Sequence, residues 1–391
     1  MFNEQTCKRC GTCLEQCPFL SLSSERAKKE IMSIIENKHS RKIIKACAFC
    51  SYCNYICPTG SNPYSLFREI KLKNSHENGV RCLGLISVEI TPNLMTVGLE
   101  INTDEKLHDL QKYQNPPKSE KMFYVGCAIP YLFSDLVKSK TLLSEYPIIG
   151  GMEYCCGGYV NTSFGENEAS IKGRELLNKF KRLDIKELIT FCPGCDHMIR
   201  GVYPSIIKEF DVECKSIIDY FIEKYHDGTL KIKNKIKKRI TFQDPCTWRN
   251  LDKNIYNAPR EFLEIIGAEV VEMKHYKEKS LCCGTPIIIK NPTLGAKIAN
   301  QRISEAESVN ADAIAHICTG CFVTLSNHAL KRNIQSYYIT ELAQMAIGET
   351  PAFKIIENQK KLDQNIMKSI KSNPNILKYK YVMKDGKIKR L

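Results

Sequence analysis

Of the 20 cysteines in this 391-residue chain, most stand in tight groups, and two groups share one grammar: Cys7-x2-Cys10-x2-Cys13-x3-Cys17-Pro18 and Cys47-x2-Cys50-x2-Cys53-x3-Cys57-Pro58. This run holds paired 4Fe–4S cubanes, in which the fourth cysteine of each run ligates the other cluster. One cluster is therefore expected on Cys7, Cys10, Cys13 and Cys57, and the other on Cys47, Cys50, Cys53 and Cys17. Short spacings wrap three thiolates round one cubane, and the proline turns the chain so that the fourth crosses over. Zinc needs only four ligands per ion and leaves the repeated grammar unexplained.

The remaining groups come as a duplicated set of five. The first set is Cys127, Cys155-Cys156-Gly157 and Cys192-Pro-Gly-Cys195; the second is Cys246, Cys282-Cys283-Gly284 and Cys318-Thr-Gly-Cys321. The second set follows the first by 119 residues at the lone cysteine, 127 at the pair and 126 at the closing two. Such constancy marks an internal repeat. A tetrahedral zinc saturates at four ligands and strands a fifth thiolate. Adjacent cysteines point in different directions, which suits bridging two metals better than chelating one. A multi-iron cluster uses all five, while zinc and disulfides stay open on spacing alone. The glycine after each pair is expected to let the backbone approach the bound group without a Cβ clash.

The elements that must position these thiols follow from periodicity. Four short apolar runs each end at a cysteine: Met122–Cys127, Leu188–Cys192, Ile240–Cys246 and Ala313–Cys318. Each reads as a buried strand, with amphipathic helices between, as at Glu168–Leu183 and Leu294–Ser308. Strand–helix alternation implies parallel sheets with ligand sites beyond the strand C-termini. Between the first two cysteine runs, Ser24–Asn37 reads as a helix with a serine cap and an acidic first turn. The first domain accordingly resembles the helical type of ferredoxin, a relay docked inside larger oxidoreductases. The expected fold is α+β and multi-domain: an N-terminal α-helical ferredoxin domain at 1–75, a connecting region at 76–120, two pseudo-symmetric α/β, Rossmann-like domains at 121–235 and 236–345, and a basic tail at 346–391. Cys82 and Cys214 lack partners at motif spacing and read as inert buried thiols.

The formal charge is +14, and the surplus concentrates in Lys231–Arg239 and Lys360–Arg390. A solvated linker and tail, an acidic protein partner or anionic ligand, and nucleic acid are all compatible with this, although no basic aromatic module or helix-turn-helix pattern accompanies it. No apolar run reaches the roughly 18 residues of a membrane span, and the N-terminus has no apolar leader core. A cytoplasmic protein is expected. The absence of a GxGxxG fingerprint means that electrons must come from a partner.

Two complete Cys-x(n)-Cys-Cys-Gly-x(n)-Cys-x-x-Cys motifs behind a two-cluster ferredoxin resemble the CCG-domain family, in the arrangement of the D-type heterodisulfide reductases, in which an iron–sulfur (C-type) polypeptide is fused to a catalytic (B-type) one. The resemblance runs from Cys7 to about Ala343. It implies a non-cubane 4Fe–4S cluster on Cys127, Cys155, Cys156, Cys192 and Cys195, and another on Cys246, Cys282, Cys283, Cys318 and Cys321; some relatives hold zinc or nothing in the first domain. It implies an anaerobic enzyme of methanogenesis type that reduces the coenzyme M–coenzyme B disulfide, fed by a flavoprotein or by a membrane cytochrome that supplies the only membrane contact. The rival it offers is an electron-transfer component of a flavin-linked glycolate, lactate or glycerol-3-phosphate dehydrogenase complex. Two positions depart from the pattern: Asp244-Pro245-Cys246 is followed by Thr247 where relatives have histidine, and Thr285-Pro286 replaces a glycine-rich continuation.

Several side chains have two readings each. His197 and His316 are placed to protonate a departing thiolate or to pack beside a cluster. Arg249 and Lys290 suit an anionic substrate group or ordinary ion pairs. Trp248 suits a site wall or plain core packing.

Overall fold

The computed structural model describes residues 1–81, 87–100, 104–288 and 290–391; Cys82 lies outside them. Helices surround the first two cysteine runs. Ser24–Asn37 buries Ala27, Ile31, Ile34 and Ile35, the single stripe an amphipathic helix needs. Its N-cap is Ser23, whose side chain makes no capping bond, so the expected serine cap is absent and Glu25 alone serves the first turn. The helix Pro63–Asn78 starts more firmly, with Asn62 accepting from the Ser65 amide and proline at its first position. It ends at β1 (Val80–Arg81).

Two four-stranded parallel sheets follow. The first contains β2 (Lys121–Gly126), β3 (Ile148–Gly150), β4 (Glu187–Thr190) and β5 (Glu213–Ser216), in the order β3-β2-β4-β5. The second contains β6 (Arg239–Phe242), β7 (Glu269–Val270), β8 (Ala313–His316) and β9 (Gln335–Tyr338), in the equivalent order β7-β6-β8-β9. The four expected cysteine-bearing strands are β2, β4, β6 and β8, the central pair of each sheet. Strands covered on both faces read as apolar runs, which is why these were visible. The outer strands are short or polar, such as Glu213-Cys-Lys-Ser and Gln335-Ser-Tyr-Tyr, and carry no such signal. The helices Glu166–Arg182 and Pro292–Ser308 cover the sheets close to their expected bounds.

One apolar core runs through both sheets, including Phe123, Ile189, Phe191, Phe242, Ala315 and Trp248. The basic segment before β6 is tied down by the Lys233 and Asn234 amides, which both donate to the Ala346 carbonyl. The C-terminal residues differ from the expected solvated tail. Ile355–Ser372 is a helix whose Ile355 and Leu362 join the main core, and Asn358 donates to the Leu132 carbonyl. Beyond it, β10 (Lys380–Lys384) and β11 (Lys387–Arg390) form a hairpin that pairs with β1. The lysines hid this because they alternate with the apolar residues that anchor the segment. Among the described residues no helix is long and apolar enough to cross a membrane.

Candidate iron–sulfur centres

In the helical domain the two cysteine runs interleave. Cys7, Cys10, Cys13 and Cys57 line one small cavity with Gly11, Thr59 and Phe2. Burial and the neighbouring thiols of Cys10, Cys57 and Cys7 push Cys13 up to about 12. Cys57 thus sits with the first run rather than its own. The converse holds for Cys17, whose nearest thiol influence is Cys47, and Cys53 is surrounded by Cys47, Cys50, Cys13 and Cys17. The folded chain therefore places Cys57 with the thiols of the first run and Cys17 beside Cys47.

In the first sheet domain, Cys127, Cys155, Cys156, Cys195 and Cys192 are hydrogen-bonded to one another in series. In the second, Cys246, Cys282, Cys283, Cys321 and Cys318 form the same series. Each set gathers beyond the C-terminal ends of the two central strands, where a parallel sheet places its ligands. Every described cysteine is a free thiol. Hydrogen bonds to Cys156 and Cys192, together with burial, hold Cys195 well above the usual thiol range, and Cys283, Cys318 and burial do the same for Cys321. Buried thiols that resist ionisation in a crowd are a donor set suited to a cationic metal centre, since a coordinated thiol gives up its proton to the metal.

The two sets are adjacent. The Thr247 hydroxyl donates to the Pro193 carbonyl at 3.3 Å, so the Cys246 loop touches the Cys192–Cys195 turn. The hydroxyl of buried Tyr338 points at the carbonyls of both Phe191 and Ile317, the residues before Cys192 and Cys318. One tyrosine therefore ties the two closing turns together. Nothing in the cysteine pattern signalled it.

The helical domain docks on the two sheet domains differently. Phe19, Ala48, Cys50 and Tyr52 join an apolar cluster with Leu281, Cys282, Cys283, Ile287 and Cys321 of the second. Contacts to the first include more polar ones: Arg68 donates to Asn161 Oδ1 at 2.8 Å and pairs with Glu166 at 3.2 Å, and His76 bonds the Phe164 carbonyl, beside Leu72 packed at Gly165. Arg249 spans the apolar junction. Its Nε donates to the Glu278 carbonyl at 2.8 Å, its Nη1 donates to the Cys50 carbonyl, and its guanidinium lies over the Tyr52 ring. It is a strut between domains, not a free anion clamp.

The other candidates settle as follows. His316 is fully buried in β8, bonded through Nε2 to Ser336, and burial pushes it down to about 3, so it stays neutral. Burial also lowers His197, to about 4, and it lines a cleft with Arg68, Asn161 and Asn250. Trp248 is core, stacked on Phe242. Lys290 is exposed. Cys214 donates to buried Asp196 at 3.5 Å. The glycines differ in detail from their expected role. Gly157 and Gly284 both have positive φ, but a Cβ on Gly284 would meet the Gly295 carbonyl at 2.7 Å, a helix contact and not a thiol. Of the glycines that border a thiol, Gly126 is the tightest, at φ +67, where a Cβ would stand 3.0 Å from Cys195 Sγ; a Cβ on Gly158, Gly194 or Gly320 would stand 3.5–3.7 Å from Cys156, Cys192 or Cys318.

A family model for the CCG cysteine-rich domain matches residues 122–200 and 240–326, and one for a 4Fe–4S dicluster domain matches residues 1–58. The D-type polypeptide of the dihydromethanophenazine:CoB–CoM heterodisulfide reductase of Methanosarcina barkeri is 26% identical across 88% of this chain and 93% of its own length. The chain therefore carries a 4Fe–4S dicluster domain followed by two CCG domains, and over most of its length it is similar to D-type heterodisulfide reductase polypeptides. Members of the same group differ in partner and length. The B-type polypeptide of the fumarate reductase (CoM/CoB) of Methanothermobacter marburgensis is 22% identical across 88% of this chain and 72% of its own. The iron-sulfur-binding oxidoreductase FadF of Bacillus subtilis is 23% identical across 81% of this chain but only 48% of its own. The chain is an iron–sulfur oxidoreductase with a ferredoxin-type domain and two CCG domains.

Proposed function

We propose that this chain is the catalytic component of a disulfide-reducing complex. In this reading residues 1–75 form the relay domain. Cys7, Cys10, Cys13 and Cys57 hold one cubane, and Cys47, Cys50, Cys53 and Cys17 hold the other. The domains at 121–235 and 236–345 each hold a non-cubane 4Fe–4S cluster, on Cys127, Cys155, Cys156, Cys192 and Cys195 and on Cys246, Cys282, Cys283, Cys318 and Cys321. Such clusters, when bound, supply one-electron chemistry and open iron positions for thiolate sulfur, while the protein supplies position and charge.

The observation that carries the reading is the pairing of two complete five-thiol sets across one seam, joined by Thr247 to Pro193 and by Tyr338 to both closing turns. A disulfide has two reacting sulfurs, and a two-sided site matches it; a hydroxy acid has one reacting carbon. The chain's own groups bind and orient. Gly126 keeps a side chain away from Cys195, and neutral His316 and His197 leave the surroundings without an added cation. An electron-donating partner, a flavoprotein or a membrane cytochrome, meets the helical domain, and the complex works in the cytoplasm.

The test is the EPR spectrum of the oxidised, anaerobically purified protein, titrated with the coenzyme M–coenzyme B disulfide and with each thiol. The expected result is a changed signal. An unchanged signal, in a protein that passes electrons only between a flavoprotein and an acceptor, replaces this reading with the relay component of a flavin-linked dehydrogenase.

A further inference from the structure

The two thiolate sets of the helical domain sit in different electrostatic surroundings. The outer set, Cys7, Cys10, Cys13 and Cys57, is served by hydroxyls: Thr12 Oγ1 lies 3.3 Å from Cys10 Sγ and Thr59 Oγ1 lies 3.6 Å from Cys57 Sγ. The inner set, Cys17, Cys47, Cys50 and Cys53, is bracketed by two cations bonded to the backbone of its own ligands. Lys71, a buried lysine on the helix Pro63–Asn78, donates to the Cys47 carbonyl at 2.6 Å and lies over the Phe49 ring at 4.5 Å. Arg249, from the second CCG domain, donates to the Cys50 carbonyl. Its Nη2 is buried and has no hydrogen-bond partner. A buried guanidinium arm without a partner is costly, so something must retain it.

Neither cation has a carboxylate as its bonded partner at these contacts; both turn their charge toward the thiolates. Glu305, whose charge reaches Tyr52 at this junction, is already bonded to Arg302 and His275. Two effects then compete. Burial disfavours added negative charge and makes the inner centre harder to reduce. Two full positive charges in a poorly solvated site favour the reduced form, and full charges outweigh neutral hydroxyl dipoles in such a site.

We infer that Lys71 and Arg249 are positioning residues that make the inner ferredoxin-type centre the easier of the two to reduce, so that an electron delivered to the outer set by an external one-electron donor comes to rest beside the second CCG domain. The inference rests on the ligand assignment proposed above. It adds a direction to it: the outer centre is oxidised by one electron as the inner is reduced by one, with no bond made or broken. Arg249 belongs to the second CCG domain, so undocking the helical domain would remove half of the bracket.

The experiment is an EPR-monitored redox titration of the anaerobic holoprotein, in which Cys10→Ser marks the outer signal and Cys50→Ser the inner. The wild type is expected to reduce its inner centre at the higher potential. Lys71→Met and Arg249→Met should each cut the inner centre's reduced-to-oxidised ratio, at a fixed potential, several-fold while leaving the outer titration in place. Arg249→Lys and Lys71→Arg, which keep the charge, should restore it and guard against simple loss of the centre. Coincident titrations in the wild type, or methionine variants whose inner centre is unmoved, overturn the inference. A wild type lacking two ferredoxin-type signals overturns the ligand assignment itself, which a failed variant does not.

Discussion

The two CCG domains share strand order and cysteine series, yet they are built differently where it matters. In the first, β2 runs into Cys127 through Val125 and Gly126, and the residue after the Cys155-Cys156-Gly157 group is Gly158. In the second, the equivalent approach is Asp244-Pro245-Cys246, and Thr285 follows the glycine. Asp244 is fully buried and accepts from Arg260 Nη2 at 2.8 Å and from the Lys277 amide at 2.7 Å, while Arg260 also grips Glu272. Thr285 Oγ1 stands 3.0 Å from Cys283 Sγ, whereas the matching Gly158 has no hydroxyl to offer Cys156. The second domain is clamped and faces the ferredoxin domain through an apolar junction; the first is glycine-lined and meets it through more polar contacts. The two halves of the repeat thus differ in what surrounds their cysteines.

The clamp is the strongest place to break this comparison. Replacing Asp244 with alanine leaves Arg260 half-paired in a buried site, and breaking a buried pair this way costs about 3–5 kcal/mol. Anaerobic denaturant unfolding should show that loss, together with disappearance of the second domain's cluster signal. A variant within about 1 kcal/mol of wild type would mean that the clamp does not hold the Cys246 loop.

A second contrast lies at the caps of the last strands. In the first domain the Ser216 amide donates to Asp219; in the second the Tyr338 amide donates to Glu341 at 2.7 Å. Glu341 is buried, and desolvation raises its carboxyl from 4.5 to about 7. The folded state then holds its proton more tightly than the unfolded chain. The associated stability is present below about pH 4.5 and is lost as pH rises through about 7. Over that window the loss should be about 3 kcal/mol. Glu341→Gln should flatten the slope and raise stability at pH 8, measured by melts across the range; an unchanged slope would mean that Glu341 does not set it.

The smallest expected effect is spectroscopic. Thr285→Val keeps the shape and removes the hydroxyl beside Cys283, together with its bonds to the Gly320 carbonyl and the Thr324 hydroxyl. Because hydrogen bonds to sulfur help set cluster potentials, only the second domain's signal should shift. Movement of the first domain's signal by the same amount would erase the distinction between the halves.

Much of this was legible in the cysteines. Their spacing told the repeat and the four central strands, because a buried parallel strand is a continuous apolar word ending at a cysteine. The edge strands were not legible, since Glu213-Cys-Lys-Ser and Gln335-Ser-Tyr-Tyr owe their conformation to the neighbour they pair with. The helix and hairpin after 355 read as a charged tail because each apolar anchor, such as Leu362 or Tyr381, is flanked by lysines. Arg249, Lys71 and Tyr338 could not be read at all: their roles come from carbonyls far away in sequence, and a carbonyl has no residue type to announce it.

A multi-iron cluster in each CCG domain underlies the whole comparison, and the metal content of the anaerobically purified chain tests it most directly. Two cubanes and two four-iron clusters require roughly 16 iron atoms per chain with little zinc. About 8 iron atoms with one or two zinc ions would leave the helical domain's cubanes in place and contradict the assignment in the sheet domains.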